Sequence, residues 1–159
     1  MALRKPLVLN GGQIQQLQAA DTLDAPQGGG DQVVLTNNNA GTLVPGTPVY
    51  TIANDAVDKA KADASATKNV LGLLAASIAA AAVGPITIGG ILTLTTGQWD
   101  AAFSTTGGLT KDVRYYLSAA AAGLGTSTAP STVGQYVVEL GIAISTTELK
   151  VDIKQAILL

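Results

Sequence analysis

The residues best suited to chemistry in this sequence are three carboxylates, Asp55, Asp58 and Asp63, which are interleaved with Lys59 and Lys61. Carboxylates grouped this closely can ligate calcium or act as an acid/base pair. Their spacing does not match an EF-hand loop, in which the ligands alternate and a glutamate closes the site. Lysines between the acids are more typical of a solvated charged strand or loop, which is the interpretation we adopt.

Nucleophilic catalysis has no histidine base in this chain. Histidine and cysteine are both absent, so Ser104, Ser118 and Ser145 lack the imidazole that activates a catalytic serine. The triplet Gly28–Gly30 does not fit a phosphate-binding loop, because no lysine follows at the required position and no helix is predicted to open there. The sequence therefore predicts no catalytic, cofactor-binding or metal-binding residues, and we expect the protein not to be an enzyme.

Charge excludes two further classes of function. Nine Lys and Arg residues against eleven Asp and Glu give a net charge of −2, and no basic cluster is present to displace counterions from nucleic acid. The longest uncharged stretch, residues 69–99, is interrupted at Gly84-Pro85 and at Gly89-Gly90, which argues against a membrane helix. We therefore expect neither nucleic acid nor a membrane as a partner.

The same uncharged stretch indicates the fold. Apolar residues alternate with threonine in its second half, and period-two alternation bounded by Gly and Pro is typical of strands. We predict two or three strands here, joined by tight turns at the two Gly-containing pairs. Further strands are predicted over 32–36, 47–52, 115–118, 135–144 and 148–153, and a helical turn over 98–103, capped by Thr96 or Gly97. The segment 56–68 fits either a helix or an exposed strand followed by a polar turn, and its alternation favours the strand.

These elements predict an all-β fold, a small antiparallel β-barrel or sandwich with an extended N-terminal arm. We assign residues 1–45 to the arm and residues 46–159 to the β-barrel domain. The arm holds two short extended segments, LVL and QIQQLQ, separated by the turn signal Asn10-Gly11-Gly12. An arm this poor in apolar residues cannot build a core of its own, so we expect a neighbouring chain to order it.

Composition favours a subunit of an assembly. Charged residues are 13% of the chain, against about 25% in ordinary domains, while hydrophobic residues are 47%. A surface of Ala, Thr, Gly and Val is easily desolvated, as interface cores are. The alternative is a monomeric, threonine-decorated β-protein. The apolar end, Leu158 and Leu159, is expected to pack against a neighbour, and Trp99 to lie in the core or, alternatively, to serve an interface or stack on a glycan.

Several segments resemble those of structural proteins from the virions of tailed bacteriophages. The resemblance is to a head-decoration or fibre β-domain, preceded by the N-terminal arm found on many such proteins. It rests on KPLVLNGGQIQQLQAADTLD (5–24), GTPVY (46–50), VLGLLA (70–75), QWDA (98–101), GGLT…YYLSA (107–119) and APSTVGQYVVELGIAIS (129–145).

The resemblance implies a homotrimeric capsid decoration (cement) protein on the virion surface, with the major capsid protein as its partner. Arm docking would then use Leu7, Val8, Leu9, Ile14 and Leu17, and subunit contact would use Leu158 and Leu159. The alternative that it leaves open is a trimeric tail-fibre or receptor-binding module. In that module the loop 126–134 and Trp99 would contact a host glycan.

Overall fold

The computed structural model describes residues 7–10, 13–16 and 30–159, and the elements below belong to that part of the chain. It is dominated by strands and contains one short helix, so the predicted all-β class is confirmed. The strands are β1 (Leu7–Asn10), β2 (Gln13–Gln16), β3 (Gly30–Asn37), β4 (Pro48–Ala53), β5 (Ala56–Lys59), β6 (Val70–Leu74), β7 (Val83–Thr93), β8 (Arg114–Leu117), β9 (Gly125–Thr126), β10 (Tyr136–Val137), β11 (Glu139–Ala143), β12 (Glu148–Val151) and β13 (Ile157–Leu158), and the helix is α1 (Thr96–Phe103).

Five strands close into a small barrel in the order β3-β5-β4-β6-β7, with β7 pairing back onto β3. The pairs are antiparallel except β3–β5, which runs parallel through Thr36–Ala56 and Asn37–Val57. The prediction of a small barrel is therefore confirmed, with one parallel pair that the sequence pattern did not indicate. The interior is filled by Leu43, Val49, Val57, Leu74, Ile78 and Ile86.

Strand β3 belongs to this barrel, although the sequence placed residues 30–37 in the arm. It pairs with β7 from Gly30–Gly90 to Thr36–Val83. Val33 and Leu35 pack against the barrel core. The run of three apolar residues is short, but pairing with a long central strand gives it a buried face. The barrel therefore includes residues that the prediction assigned to the arm.

Strand β7 runs unbroken for eleven residues through both predicted turns, so the breaks at Gly84-Pro85 and Gly89-Gly90 are wrong. Gly84 is needed for packing, because a Cβ there would lie 2.5 Å from the Ile78 side chain. The Pro85 carbonyl accepts from the Ala75 amide at 3.0 Å, where the pairing with β6 ends, so the missing proline N–H disrupts no ladder. Gly90, at φ +82°, is the residue at which β7 pairs with both β3 and β12.

Beyond Gly90, β7 leads into a second layer made of β12, β11, β8 and β9, with α1 against it. Its core centres on the aromatic rings of Trp99, Phe103 and Tyr115. The centroid of the Phe103 ring lies 5.0 Å from that of Trp99 and 5.2 Å from that of Tyr115. Leu73 also belongs to this second core, whereas its neighbour Leu74 points into the barrel. Strand β6 therefore separates two cores, one on each face.

Two local predictions for the segments around this layer need correction. Ala60 and Ala62, expected on an exposed strand, are fully buried in the second core. The strand predicted over 135–144 is interrupted at Val138, so that β10 and β11 belong to different sheets. Both errors concern short apolar side chains that are buried by strands distant in the sequence.

Helix α1 begins at Thr96, two residues earlier than predicted, because Thr95 rather than Thr96 or Gly97 caps it. The Thr95 hydroxyl accepts from the Gln98 amide at 3.3 Å, and the Gln98 side chain accepts from the Thr95 amide at 2.9 Å. This reciprocal pair is a capping box. It fixes the helix start so that Trp99 and Phe103 face the second core.

Candidate interaction surfaces

The three clustered carboxylates take separate structural roles. Asp58 accepts from the Asn39 side-chain amide at 2.9 Å and from the Lys59 amide at 2.7 Å. Asp63 pairs with Lys61 at the surface, and Asp55 lies in the β4–β5 turn at φ +54°. Within the described residues, no group of three or more His, Cys, Asp or Glu side chains is placed to hold a metal ion. Asp55 and Asp63 are exposed and Asp58 is partly buried, so each carboxylate takes part in a local turn or surface contact.

Ser118 and Ser145 stabilise local turns. The Ser118 hydroxyl accepts from the amides of Ala120 and Ala121 at 3.2 Å, which shapes the turn after β8. Ser145 donates to the Glu148 carboxylate at 3.2 Å and accepts from the Thr147 amide in the β11–β12 turn. These bonds are those of side chains that stabilise turns.

In the described part of the chain, Asp100 is the carboxylate that accepts the most hydrogen bonds. It accepts from the Gly108 amide at 2.8 Å, the Thr105 hydroxyl at 2.8 Å and the Gly107 amide at 3.0 Å. These bonds, the one from Gly108 foremost, hold the pKa of Asp100 below its ordinary value of 3.8. Asp100 therefore fixes the loop that leads from α1 into residues 107–109.

Replacing Asp100 by asparagine is expected to lower the urea midpoint at pH 7. The asparagine oxygen can replace Oδ1, which accepts from Thr105 and Gly108, but its NH2 group would then face the Gly107 amide that donates to Oδ2. Since the folded pKa is depressed, the stabilisation is complete above pH 3.8 and disappears as the pH falls through the folded pKa. The midpoints of wild type and Asp100→Asn should therefore converge in acid, as followed by circular dichroism. Asp63→Asn, which alters only a surface ion pair, should have the wild-type urea midpoint both at pH 7 and in acid. A difference in midpoint between wild type and Asp100→Asn that stays constant with pH would contradict the linkage.

A shallow hollow of about 280 Å³ opens beside the loop after β9. Hydroxyl and amide side chains line most of it, with Ala and Pro between them: Ser118, Thr126, Thr128, Ser131, Thr132 and Gln135. It coincides with the loop 126–134 that the sequence singled out for glycan contact. Polar, uncharged groups of this kind can hydrogen-bond a sugar.

Trp99 takes no part in that hollow. Its side chain has no exposed surface, and its Nε1 donates to the Thr147 carbonyl at 2.9 Å. The core interpretation of Trp99 is therefore confirmed, and the alternative of glycan stacking or an interface role is wrong for this residue. A glycan at loop 126–134 would have no stacking contribution from this tryptophan.

The last strand forms a two-stranded ribbon with β10, hereafter the β10–β13 ribbon (residues 133–137 and 157–159). Tyr136 pairs with Leu158 and Val137 with Ile157. Successive strand residues point to opposite faces, yet Ile157 is 64% exposed and Leu158 60% exposed, so both faces are open. Val133, at 88%, and Leu159, at 40%, extend the apolar surface. The predicted contact residues Leu158 and Leu159 are thus accessible.

A second apolar surface lies on the outside of the barrel, hereafter the β3–β7 wall (Val34, Thr36, Val83 and Pro85). Val34 pairs with Pro85 and Thr36 with Val83, so the four share one face. Val34 is 65% exposed and Val83 66% exposed. The sequence pattern did not predict this wall. Three consecutive apolar residues in a half-buried strand, at 33–35, were the available signal, because one of them must face outward.

The predicted arm residues fall partly within the described part of the chain. Strands β1 and β2 pair antiparallel through Leu7–Gln16, Val8–Gln15, Leu9–Ile14 and Asn10–Gln13. The two predicted extended segments therefore form a hairpin, which brings Leu9 and Ile14 opposite each other. Leu17 lies outside the described residues.

In the described residues, no helix has both the length and the apolar character required to cross a membrane. The structure defines the protein as a closed five-stranded β-barrel carrying a second sheet layer and two exposed apolar surfaces. Comparison with protein-family models, curated proteins and solved structures finds no match to this chain.

Proposed function

We propose that this protein is a virion structural protein, a capsid decoration (cement) protein that binds across major capsid subunits and stabilises a phage head. The observation that carries the proposal is the pair of exposed apolar surfaces on a domain with only 13% charged residues. Contiguous apolar surface on a small domain marks an interaction site. The resemblance to phage decoration domains names the class of partner.

The mechanism is mechanical rather than catalytic. A protein that binds the assembled lattice, but not dissociated subunits, stabilises the lattice by mass action. As a homotrimer, it would present three copies of each contact, and avidity would give tight binding without a deep pocket. Leu158 and Leu159 would contribute to the contacts between copies, and the hairpin residues Leu7, Val8, Leu9 and Ile14, with Leu17, would dock on neighbouring capsid subunits.

Deleting residues 1–25 tests the arm. We expect occupancy on purified capsids to fall, with the affinity weakened at least about tenfold, which corresponds to a loss of about 1.4 kcal/mol. The measurement is the bound amount in a capsid co-sedimentation titration. Truncation stops before β3, so the barrel is retained.

A point-variant pair makes this test sharper. Leu9→Asp together with Ile14→Asp places charge on one paired position of the hairpin, and should reproduce the loss. Gln13→Asp with Gln16→Asp adds the same charge at polar positions of β2 and should bind nearly as wild type. Unchanged occupancy of the truncated protein would refute a docking arm.

The hollow favours one alternative, a tail-fibre or receptor-binding module. Its hydroxyl lining at 126–132, together with the Gln135 amide, suits a glycan hydrogen-bonded through its own hydroxyls. Copy number in intact virions separates the two proposals: hundreds of copies per particle support decoration, and a few dozen or fewer support a fibre.

A further inference from the structure

We propose that the hollow beside the loop after β9 binds an uncharged N-acetylated sugar, whose acetamido carbonyl accepts a hydrogen bond from the Ser118 hydroxyl. This inference goes beyond capsid decoration, which does not use the hollow. It narrows the glycan of the alternative function to one chemical class. The hydrogen-bonding capacity, the charge and the apolar lining of the hollow support the assignment.

Ser118 is the most buried polar side chain that lines the hollow, and it is 8% exposed. Its oxygen accepts from the amides of Ala120 and Ala121, each at 3.2 Å. These two bonds use both acceptor positions of a hydroxyl group. The hydroxyl proton is therefore directed away from the two amides, and it has no acceptor among the described residues. The hollow thus presents a buried donor that a ligand oxygen can satisfy.

Two further groups of the hollow are available to a ligand. The Thr126 hydroxyl accepts from the Thr128 amide at 3.1 Å, which leaves its proton free to donate. The half-buried side-chain amide of Gln135 has no hydrogen-bond partner in the described part of the chain, and it offers both donors and an acceptor. An acetamido group matches this set, because its carbonyl accepts and its N–H donates.

The lining excludes charged and aromatic ligands. None of the residues around the hollow carries a charge. Phosphates and carboxylates are bound by Arg, Lys or helix N-termini, and neutral hydroxyls do not repay the desolvation of an anion. No aromatic side chain lines the hollow, so a nucleobase would find no stacking surface. These exclusions favour an uncharged ligand that is rich in hydroxyl and amide groups.

The apolar part of the lining favours an acetylated sugar over a plain one. Ala119, Ala129 and Pro130 are half-buried around the hollow and can pack against the acetamido methyl group. An amide also has a larger dipole than a hydroxyl, so its carbonyl oxygen is the better acceptor for the Ser118 donor. The volume of about 280 Å³ lies at the lower end of ligand pockets, which suits one sugar ring.

The test titrates the full chain with N-acetylglucosamine and with glucose, in which a hydroxyl replaces the acetamido group. The readout is the NMR shift of backbone amides. N-acetylglucosamine should bind with millimolar affinity and shift the amides of Ala120, Ala121 and Thr128, and glucose should bind at least about tenfold more weakly. N-acetylalanine methylamide, which carries an acetamido group on a peptide, should not bind.

Three outcomes of this titration would overturn the proposal. Absence of shifts with N-acetylglucosamine would show that the hollow takes no such sugar. Equal binding of glucose would show that the acetamido group is not recognised. Binding of the peptide probe as tightly as N-acetylglucosamine would assign the hollow to a peptide instead.

Two variants test the named groups. Ser118→Ala removes the buried donor, and Gln135→Met removes the amide while keeping the length of the side chain; each should weaken N-acetylglucosamine binding at least about tenfold. Ser118→Ala also removes an acceptor from its turn, so Gln135→Met decides the outcome. The backbone of Gln135 keeps its bonds to Thr132 and Leu159 in that variant. Thr93→Val, at an exposed position outside the hollow, is the matched control and should bind as wild type. Wild-type binding by Gln135→Met would overturn the proposal.

The same proteins separate this inference from capsid decoration. Gln135→Met should keep wild-type occupancy in the capsid co-sedimentation titration, because decoration does not use the hollow. Normal capsid occupancy without sugar binding would overturn this inference alone. Sugar binding by a protein that does not bind capsids would contradict capsid decoration and leave the inference intact.

Discussion

Replacing Trp99 with alanine is expected to lower the free energy of unfolding by about 3–5 kcal/mol, as truncation of a fully buried tryptophan does. The side chain has no exposed surface and meets the Phe103 ring edge-on at 5.0 Å. Its Nε1 donates to the Thr147 carbonyl at 2.9 Å, which ties α1 to the β11–β12 turn. The substitution removes the centre of the second core and one of its few polar links in a single step.

Trp99→Phe is the matched control for the hydrogen bond. It retains an aromatic ring in the core but removes one of two donors to the Thr147 carbonyl, which still accepts from the Leu94 amide at 2.9 Å. Loss of this hydrogen bond costs about 0.5–1.5 kcal/mol. Trp99 is the only tryptophan in the chain, so urea unfolding is followed by circular dichroism rather than fluorescence. A loss below about 1 kcal/mol for Trp99→Ala would mean that the second core does not depend on this ring.

Alternation of side chains predicted much of the fold correctly where one face of a strand meets water. Residues 148–153 alternate cleanly, and the structure places β12 there with Leu149 and Val151 buried. The capping signal before Trp99 also predicted a helix, two residues short of its true start. These features depend on neighbours in sequence, so a local pattern contains enough information to predict them.

What the sequence could not predict depends on partners far along the chain. In the sequence, Gly84 indicates the end of a strand. In the structure it lies within β7, where the Ile78 side chain packs against its Cα. The parallel β3–β5 pair follows from closing the barrel, and no run of residues encodes it locally. The β3–β7 wall was missed for the same reason, since Val34 and Val83 become one surface only when β3 and β7 pair.

The two cores share strands, and this couples the proposed surfaces to the rest of the protein. Strand β7 pairs with β3 in the barrel and with β12 in the second layer. The ribbon is anchored beside the second core, where Tyr136 and Ala156 pack against it. The ribbon therefore lies beside the second core and the wall on the outside of the barrel, and β7 joins these two parts of the protein.

Replacing Asn37 with aspartate is expected to lower the free energy of unfolding at pH 7 by at least about 3 kcal/mol, because it places an unpaired charge in the interior. Asn37 is fully buried at the end of β3. Its Nδ2 lies 2.9, 3.0 and 3.1 Å from the carbonyls of Gly41, Ile78 and Ala79, and its Oδ1 accepts from the Asn39 amide at 2.8 Å. A carboxylate would turn an acceptor towards those three carbonyls and donate nothing.

The sign of the pH dependence of stability shows whether a buried charge causes the loss in Asn37→Asp. Burial and the facing carbonyls would raise the pKa of an aspartate at position 37, since both disfavour the charged form. The variant should therefore regain stability as the pH falls and the carboxyl becomes a donor again, and lose it as the pH rises through the raised pKa. Urea titrations followed by circular dichroism between about pH 4 and about pH 8 measure this slope. Asn38→Asp adds the same charge one residue away at an exposed position and should remain near wild type throughout. If the two variants behave alike, Asn37 does not act as the donor that joins the β3 turn to the segment before β7.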